Sequence, residues 1–196
     1  GHTTGAPLTV TFTNGNTHSS DYSLFAAMPR PGHADLTAAF RWDDCQDPRG
    51  GGHFSGRLTL TLVAAGVVAK KIASGVTFSG SITQIAGVSD SAQWENILDA
   101  AIAEGDSVGG IVECVCTGVP AGLGEPFFDS LESEIAHLAF SIPGVRGIEF
   151  GDGFAAAAMK GSEHNDCFTD AHGHTASNGA GGINGGISNG NPIVFR

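Results

Sequence analysis

Two stretches of this chain place reactive residue types at spacings that allow chemistry. The first is Arg30-Pro31-Gly32-His33-Ala34-Asp35, a histidine in a Pro/Gly loop with a carboxylate two residues on and an arginine three before. Imidazole titrates near neutrality, so such a histidine can hand over a proton or offer a positive charge. A histidine alone is more often a surface or packing residue; the neighbours give this one its interest. The second stretch is Arg49-Gly50-Gly51-Gly52-His53-Phe54-Ser55-Gly56-Arg57, which runs straight into an apolar segment. A glycine-rich loop leading into a helix N-terminus presents unpaired N–H groups and a favourable dipole to an anion. Arg49 and Arg57 can add charge-assisted hydrogen bonds there. The loop is neither a P-loop, because no Gly-Lys-Ser/Thr follows, nor a dinucleotide fingerprint.

The charge balance narrows the ligand. Across 196 residues there are 9 basic and 20 acidic side chains, a net charge of -11. This opposes general binding to nucleic acid or to an anionic membrane. A small anionic ligand then needs a local cationic pocket, and Arg30, Arg41, Arg49 and Arg57 all fall between positions 30 and 57. The four cysteines form no C-x-x-C pair, so no metal or redox motif is expected. Cys114 and Cys116 share one face of an expected strand and read as small buried hydrophobes. The longest apolar run, around Leu58 to Ala69, is broken by Thr59, Thr61 and Gly66 and is shorter than the roughly 20 residues of a membrane span. Gly1 to Pro7 lacks the basic and apolar regions of a secretory signal, and a cytoplasmic protein without membrane partner is expected.

The elements that must hold these residues follow from periodicity. Leu8 to Phe12 alternates apolar and polar and ends at Asn14-Gly15-Asn16, a strand followed by a turn. Residues 14 to 57 read mostly as loop, punctuated by Pro29, Pro31, Pro48 and Gly50 to Gly52. Leu58 to about Ala73 is apolar nearly all round and ends in Lys70-Lys71, which suits a buried helix needing cover on more than one side. Val76, Phe78 and Ile82 suggest a strand. Asp90 or Ser91 can cap a helix carrying Trp94, Ile97, Leu98 and Ala101 and stopping at Gly105. A strand over Ile111 to Thr117, a loop at 118 to 126, a helix carrying Phe128, Leu131, Ile135, Leu138 and Ile142, and a strand around Ile148 and Phe150 complete the cycle. Residues 179 to 190 hold too many glycines for an ordinary helix or strand core. A flexible linker is one reading, and docking through Ile183 and Ile187 is another. This alternation of strands and helices taken alone suggests a parallel α/β sheet, in one domain or two closely joined lobes.

Seven segments together resemble the chorismate synthase family, in its order: Arg30 to Asp35, Arg49 to Arg57, Asp106-Ser107-Val108-Gly109-Gly110, Gly118 to Pro126, Gly151-Asp152-Gly153-Phe154, Gly161 to Asp166, and Gly181 to Gly190. The resemblance spans essentially all of residues 1–196, read as one partial domain of that family. It implies an α+β fold, a sandwich of antiparallel sheets enclosing helices, and a cytoplasmic homotetramer. It also implies the anti-1,4 elimination of phosphate from 5-enolpyruvylshikimate 3-phosphate to give chorismate, with reduced FMN. NADPH joins the cofactors if a flavin reductase activity accompanies the lyase, which the sequence leaves open.

Position by position, His33 matches the family's histidine that protonates or stabilises the reduced flavin. His53, Phe54 and Ser55 match FMN-contacting positions where the commoner pattern is Arg-Ser-Ser, so a titratable group replaces a permanent charge. Pro143 and Gly144 match a further FMN-contacting pair, usually Asn-Ala, and Gly185 matches an FMN-contacting glycine. Arg30, Arg49 and Arg57 are the candidates for binding the anionic substrate or its phosphate. The family's Phe-Gly-Glu-Ser-His-Gly, with its other catalytic histidine, is not among these residues, nor are its Lys-Pro-Thr and Gly-Arg-His-Asp-Pro-Cys segments. The resemblance is therefore to the family's central region. The alternative reading is a shortened, catalytically inactive homologue that keeps the fold and binds flavin or a partner.

Overall fold

A computed structural model describes residues 4–15, 18–47 and 49–196. The chain divides into two compact units, Gly1–Ile72 and Ala73–Arg196.

The first unit is helical. A 3₁₀ segment, Ser19–Ala26, precedes α1 (Asp35–Trp42), and a second 3₁₀ segment, Arg49–Phe54, leads through a short turn, Gly56–Leu58, into α2 (Thr59–Ile72). Helix α1 replaces part of the expected loop. Its Asp35 sits in the first turn and Arg41 in the last, the arrangement the helix dipole favours, and Asp43 and Asp44 close it at φ 50 and 57°. Helix α2 forms where its apolar run predicts, with Lys70 and Lys71 in its last turn. It is not the buried helix expected: none of its side chains is buried, and Val63 and Ile72 are 65% and 80% exposed. The reason is geometric. A helix apolar on all sides needs neighbours on several sides, and the described residues of this unit set Leu8, Val10 and Phe12 along an open groove on one side of it. Those same residues, expected as a strand, stay outside any ladder, because a strand needs a hydrogen-bonding partner and none is described beside them. Asn16 and Pro48, part of the expected turn and loop, lie outside the described residues.

The second unit contains the sheet. Strand β1 (Thr77–Ile85) pairs antiparallel with β2 (Gly110–Thr117), with a bulge between Ile82 and Gln84, and α3 (Trp94–Glu104) fills the connection. Asp90 caps the turn before α3 by accepting the Ala92 N–H, and Gly105 ends the helix at φ 67°, as the sequence predicts. Helix α4 (Leu131–Ala139) starts at Ser130, whose hydroxyl accepts the Ser133 N–H; Phe128 precedes it and Ile142 follows it. After the four-residue helix α5 (Gly161–His164) comes a hairpin of β3 (Ile183–Asn184) and β4 (Ile187–Ser188), then β5 (Ile193–Phe195), which joins the sheet in the order β1-β2-β5. The expected strand near Ile148 reduces to a bridge between Phe150 and Phe195.

The architecture is α+β with antiparallel pairing throughout. Parallel pairing, suggested by the alternation alone, does not occur among the described residues, because the chain returns along β1 instead of crossing over the sheet. The core gathers Cys116, Val119, Ile183 and Ile193, with Leu131, Ile135 and Phe150 packed against it. Cys116 is the buried hydrophobe expected, and burial pushes its thiol up to about 12. The glycine-rich segment is a docked hairpin and not a linker: Ile183 is 3% exposed, whereas Ile187 faces outward because it lies opposite Asn184. The total accessible surface is 14048 Å², against about 10,000 Å² for two separately folded bodies of this combined mass. Much apolar surface is therefore left without cover.

Candidate functional site

In the first unit, the His33 loop is built around one carboxylate. Asp35 Oδ2 accepts from Arg30 Nε at 2.8 Å and from the Arg30 backbone N–H at 3.0 Å, while Oδ1 accepts from Arg30 Nη2 at 2.9 Å. His33 Nδ1 lies 2.6 Å from the same Oδ1. The guanidinium is stacked 4.2 Å over the Phe25 ring, which fixes its plane. These hydrogen bonds, first those from the Arg30 side chain, hold the Asp35 carboxyl well below the usual carboxylate range despite its burial. Asp35 in turn raises the Arg30 guanidinium above its ordinary value.

The glycine loop approaches this cluster. Phe54 sits edge-on to the His33 ring at 6.5 Å and packs at 5.9 Å on Trp42, the last residue of α1. Gly51 lies on the Nε2 side of His33: a Cβ added to it would come within 3.9 Å of that nitrogen. Gly51 and Gly52 adopt φ 83 and 57°, and a side chain at Gly52 would meet the Asp47 carbonyl at 2.8 Å. Ser55 caps the turn into α2 by accepting the Arg57 N–H, so the loop leads into a helix N-terminus as its sequence predicts. His53 is exposed, and Phe54 and Ser55 are half-buried.

The arginines have separate fates. Arg30 is engaged with Asp35, and Arg49 is paired with Asp47 through Nε at 2.8 Å and Nη2 at 2.6 Å, which holds the Asp47 carboxyl down at about 2. Arg57 reaches Ser55 Oγ at 3.5 Å. Arg49 and Arg57 also line a cleft of about 750 Å³ whose other walls include Tyr22, Ser55, Phe12 and Leu60. Hydroxyl, amide and guanidinium groups interleaved with Val10, Phe12, Leu58 and Leu60 give a lining that offers both hydrogen bonds to an anion and apolar contact to a ring, so the residues present fit a phosphorylated aromatic cofactor.

In the second unit, Pro143 and Gly144 occupy the exposed turn after α4, with Gly144 at φ 92°. Gly185 and Gly186 form the two-residue turn of the β3–β4 hairpin at φ 59 and 89°, both in the left-handed region a tight hairpin demands. Gly186 also needs its missing side chain, since a Cβ there would lie 2.3 Å from the Glu125 carbonyl; at Gly185 nothing lies within 4 Å. Side-chain hydrogen bonds hold the hairpin and the segment that leads into it. Ser188 Oγ donates to the Pro120 carbonyl at 2.7 Å and accepts the Leu123 N–H at 2.9 Å. Asp166 accepts from Ser177 Oγ at 2.6 Å and from the Gly179 and Ala180 N–H groups, and His164 Nδ1 lies 3.0 Å from Asp152 Oδ2.

The structure thus brings together His33, Phe54 and the glycine loop within the first unit, and places Pro143, Gly144 and Gly185 in the second. Asp35, marked in the sequence as the carboxylate beside His33, proves to be the centre of that loop, while two supports were given no role there: Trp42 behind Phe54, and Asp166 in the segment that leads into the hairpin. Asp35 had a local signal, standing two residues from His33 and five from Arg30. Asp166 had none, its partners being eleven or more positions away.

The chorismate synthase family model matches residues 1–196. The chain is 62% identical over 196 residues to the chorismate synthase of Chitinophaga pinensis, covering all of this chain and 58% of that protein. It is 42% identical over 224 residues to that of Korarchaeum cryptofilum, covering all of this chain and 62% of that protein. A crystal structure of chorismate synthase matches with a TM-score of 0.73 at 26% identity, covering 83% of this chain and 60% of that one. The chain spans about three fifths of the length of the curated relatives it matches. With the glycine loop set against a carboxylate-held histidine and the family pattern running from end to end, the chain belongs to the chorismate synthase family.

Proposed function

We propose that this chain supplies the flavin-side part of a chorismate synthase centre, a lyase of the shikimate pathway that eliminates phosphate from 5-enolpyruvylshikimate 3-phosphate in an anti-1,4 sense. The observation that carries this reading is the convergence of His33 with the glycine loop at Gly51 and Phe54. Reduced FMN, when bound, supplies the electron-rich ring that the family's redox-neutral elimination requires. His33 holds or delivers a proton at its ring edge beside that loop. Arg49 and Arg57, at the two ends of the glycine loop, take the ligand's negative charge. Pro143, Gly144 and Gly185 offer backbone contacts, which survive the change of side chain from the commoner family residues. The same reading carries a cytoplasmic homotetramer acting on a small anionic substrate, and NADPH only where flavin reduction is coupled. No helix among the described residues is long and apolar enough to cross a membrane. The open faces of α2 fit it too, since the relatives carry further chain able to cover them.

Titration of oxidised FMN into the purified chain tests the flavin part: quenching of flavin fluorescence is expected, weakened by His53→Ala, and unchanged fluorescence at high protein concentration overturns it. Turnover tests the rest. Chorismate formation with reduced FMN is expected to be very low for these 196 residues alone, because the family's other acid histidine is not among them, and losing one of two cooperating acids removes orders of magnitude of rate. Ready turnover by this chain would refute that division of labour.

A further inference from the structure

We propose that Asp35 is the positioning residue for His33: it keeps a proton on Nδ1 and so leaves Nε2 as the nitrogen that works on the ligand. This deepens the flavin-side reading given above and rests on it for the ligand's identity, although the pairing itself does not. The geometry is one-directional. An ionised carboxylate only accepts hydrogen bonds, and Asp35 is kept ionised by three donors of Arg30, two from the guanidinium and one from the backbone. Its Oδ1 stands 2.6 Å from His33 Nδ1, so that nitrogen must carry the hydrogen between them. In the neutral ring Nε2 is then the bare acceptor, and in the charged ring it is the donor that faces outward. Nε2 is also the nitrogen on the side of Gly51.

The charged groups around the ring are accounted for. Arg30 Nη2 approaches Nδ1 at 3.2 Å and Nε2 at 3.4 Å, nearly equidistant, so it lies against the ring and does not select a nitrogen. Phe54 meets the ring from the glycine loop with no titratable atom. Asp35 alone among these neighbours distinguishes the two nitrogens. Arg30 acts one step further out: it orients Asp35, and Phe25 under its guanidinium keeps it in plane. A second-sphere carboxylate that sets a tautomer in this way is a general device of acid–base sites.

The test reads the tautomer directly. In the ¹⁵N-labelled chain, at a pH where His33 is neutral, long-range ¹H–¹⁵N correlation is expected to show the proton on Nδ1. In Asp35→Asn the carbonyl oxygen stays with the Arg30 donors, and the amide NH₂ turns to His33 and donates to Nδ1. The proton is then expected on Nε2. An Nε2–H ring in the wild-type chain, or the same tautomer in both proteins, overturns the proposal. Asp35→Glu, which keeps an acceptor, is expected to restore the Nδ1–H form, and it decides the case if Asp35→Asn does not fold. None of these spectra contains flavin, so they stand apart from the cofactor reading. FMN titration of Asp35→Asn, expected to weaken at least tenfold, tests the ligand half: a switched tautomer with unchanged FMN affinity upholds the pairing and overturns the role of Nε2 toward the flavin.

Discussion

Gly151→Ala and Gly185→Ala should differ sharply, although both change a left-handed glycine in the second unit. Each places alanine at positive φ, 55° at Gly151 and 59° at Gly185, and that conformation costs an L-residue about 1–2 kcal/mol. At Gly185 the added methyl group meets nothing within 4 Å, so the cost ends there. At Gly151 it would lie 2.0 Å from the Gly179 carbonyl oxygen and 2.5 Å from the Gly181 nitrogen. Ordinary contact needs more than an ångström of further separation, and both atoms are backbone. Gly179 O accepts the Asp152 N–H at 2.8 Å, Gly181 N–H donates to Asn178 O at 2.9 Å, and Gly151 N–H donates to Val194 O at 3.0 Å. Moving the loops apart strains one or two of these, at about 0.5–1.5 kcal/mol each, and adds overpacking strain of about 1–3 kcal/mol. The total is roughly 2.5–8 kcal/mol against about 1–2 for Gly185. With a urea m-value of about 2 kcal/mol/M, the midpoint followed by circular dichroism should fall by roughly 1.2–4 M for Gly151→Ala and by roughly 0.5–1 M for Gly185→Ala. Gly185→Ala should also bind FMN more weakly while still folded, because its methyl group points into space that the cofactor reading gives to ligand. Equal midpoint losses would refute the close approach of the two glycine loops. Unaltered FMN binding by a folded Gly185→Ala would remove Gly185 from the contact set.

Asp166→Asn should lower stability at neutral pH by about 1–2 kcal/mol, since a carboxylate accepting three donors is replaced by a weaker acceptor. Burial alone would raise this carboxyl, but the bonds from Ser177, Ala180 and Gly179 outweigh it and hold it below the ordinary range. A depressed carboxylate stabilises the fold above its unfolded pKa, near 4, and loses that contribution as pH falls through its lower folded value. The gap between the two proteins should therefore close on acidification, and a gap that widens would contradict the assignment. Thiol labelling with an aromatic disulfide at pH 8 should find Cys45 and Cys167 promptly, because both are exposed, and Cys116 only after denaturation. Prompt labelling of Cys116 in the folded chain would show that the core around β2 is open.

What could be read from the sequence is what local periodicity encodes. Helix α3 announced itself by its cap at Asp90, its spaced apolar residues and its stop at Gly105, and each of these is a near-neighbour effect. Strands β1 and β2 were legible for the same reason. Helix α1 was hidden although Leu36 and Phe40 stand at helical spacing, because it is only eight residues long and lies between turn-forming residues, Pro29, Pro31 and Gly32 before it and Pro48 and Gly50 to Gly52 after it, that read as loop. The alternation at Leu8 to Phe12 gave a strand pattern, but pattern does not provide a partner. The direction of pairing was equally illegible from periodicity: a strand, a helix and a strand can return either way, and here β2 runs back along β1. The resemblance to the family, and not the pattern, pointed to antiparallel sheets.

For the candidate site, residue types were legible and their engagements were not. The arginines between positions 30 and 57 read as a positive pocket, which counts charges without asking where each is spent. In the structure Arg30 is committed to Asp35, and Arg49 shares its charge with Asp47 across an exposed pair that contributes little to stability. Two of the positive charges counted from sequence are thereby offset within five residues of chain. This shifts the meaning of Arg30. In the sequence it is one more cation for a phosphate; in the structure its guanidinium is spent on Asp35, which also holds His33, and under the proposed reading its influence on the ligand runs through the position of a proton. The loop's order of residues makes that possible, since a turn at Gly32 brings Asp35 back under Arg30 with the histidine between them.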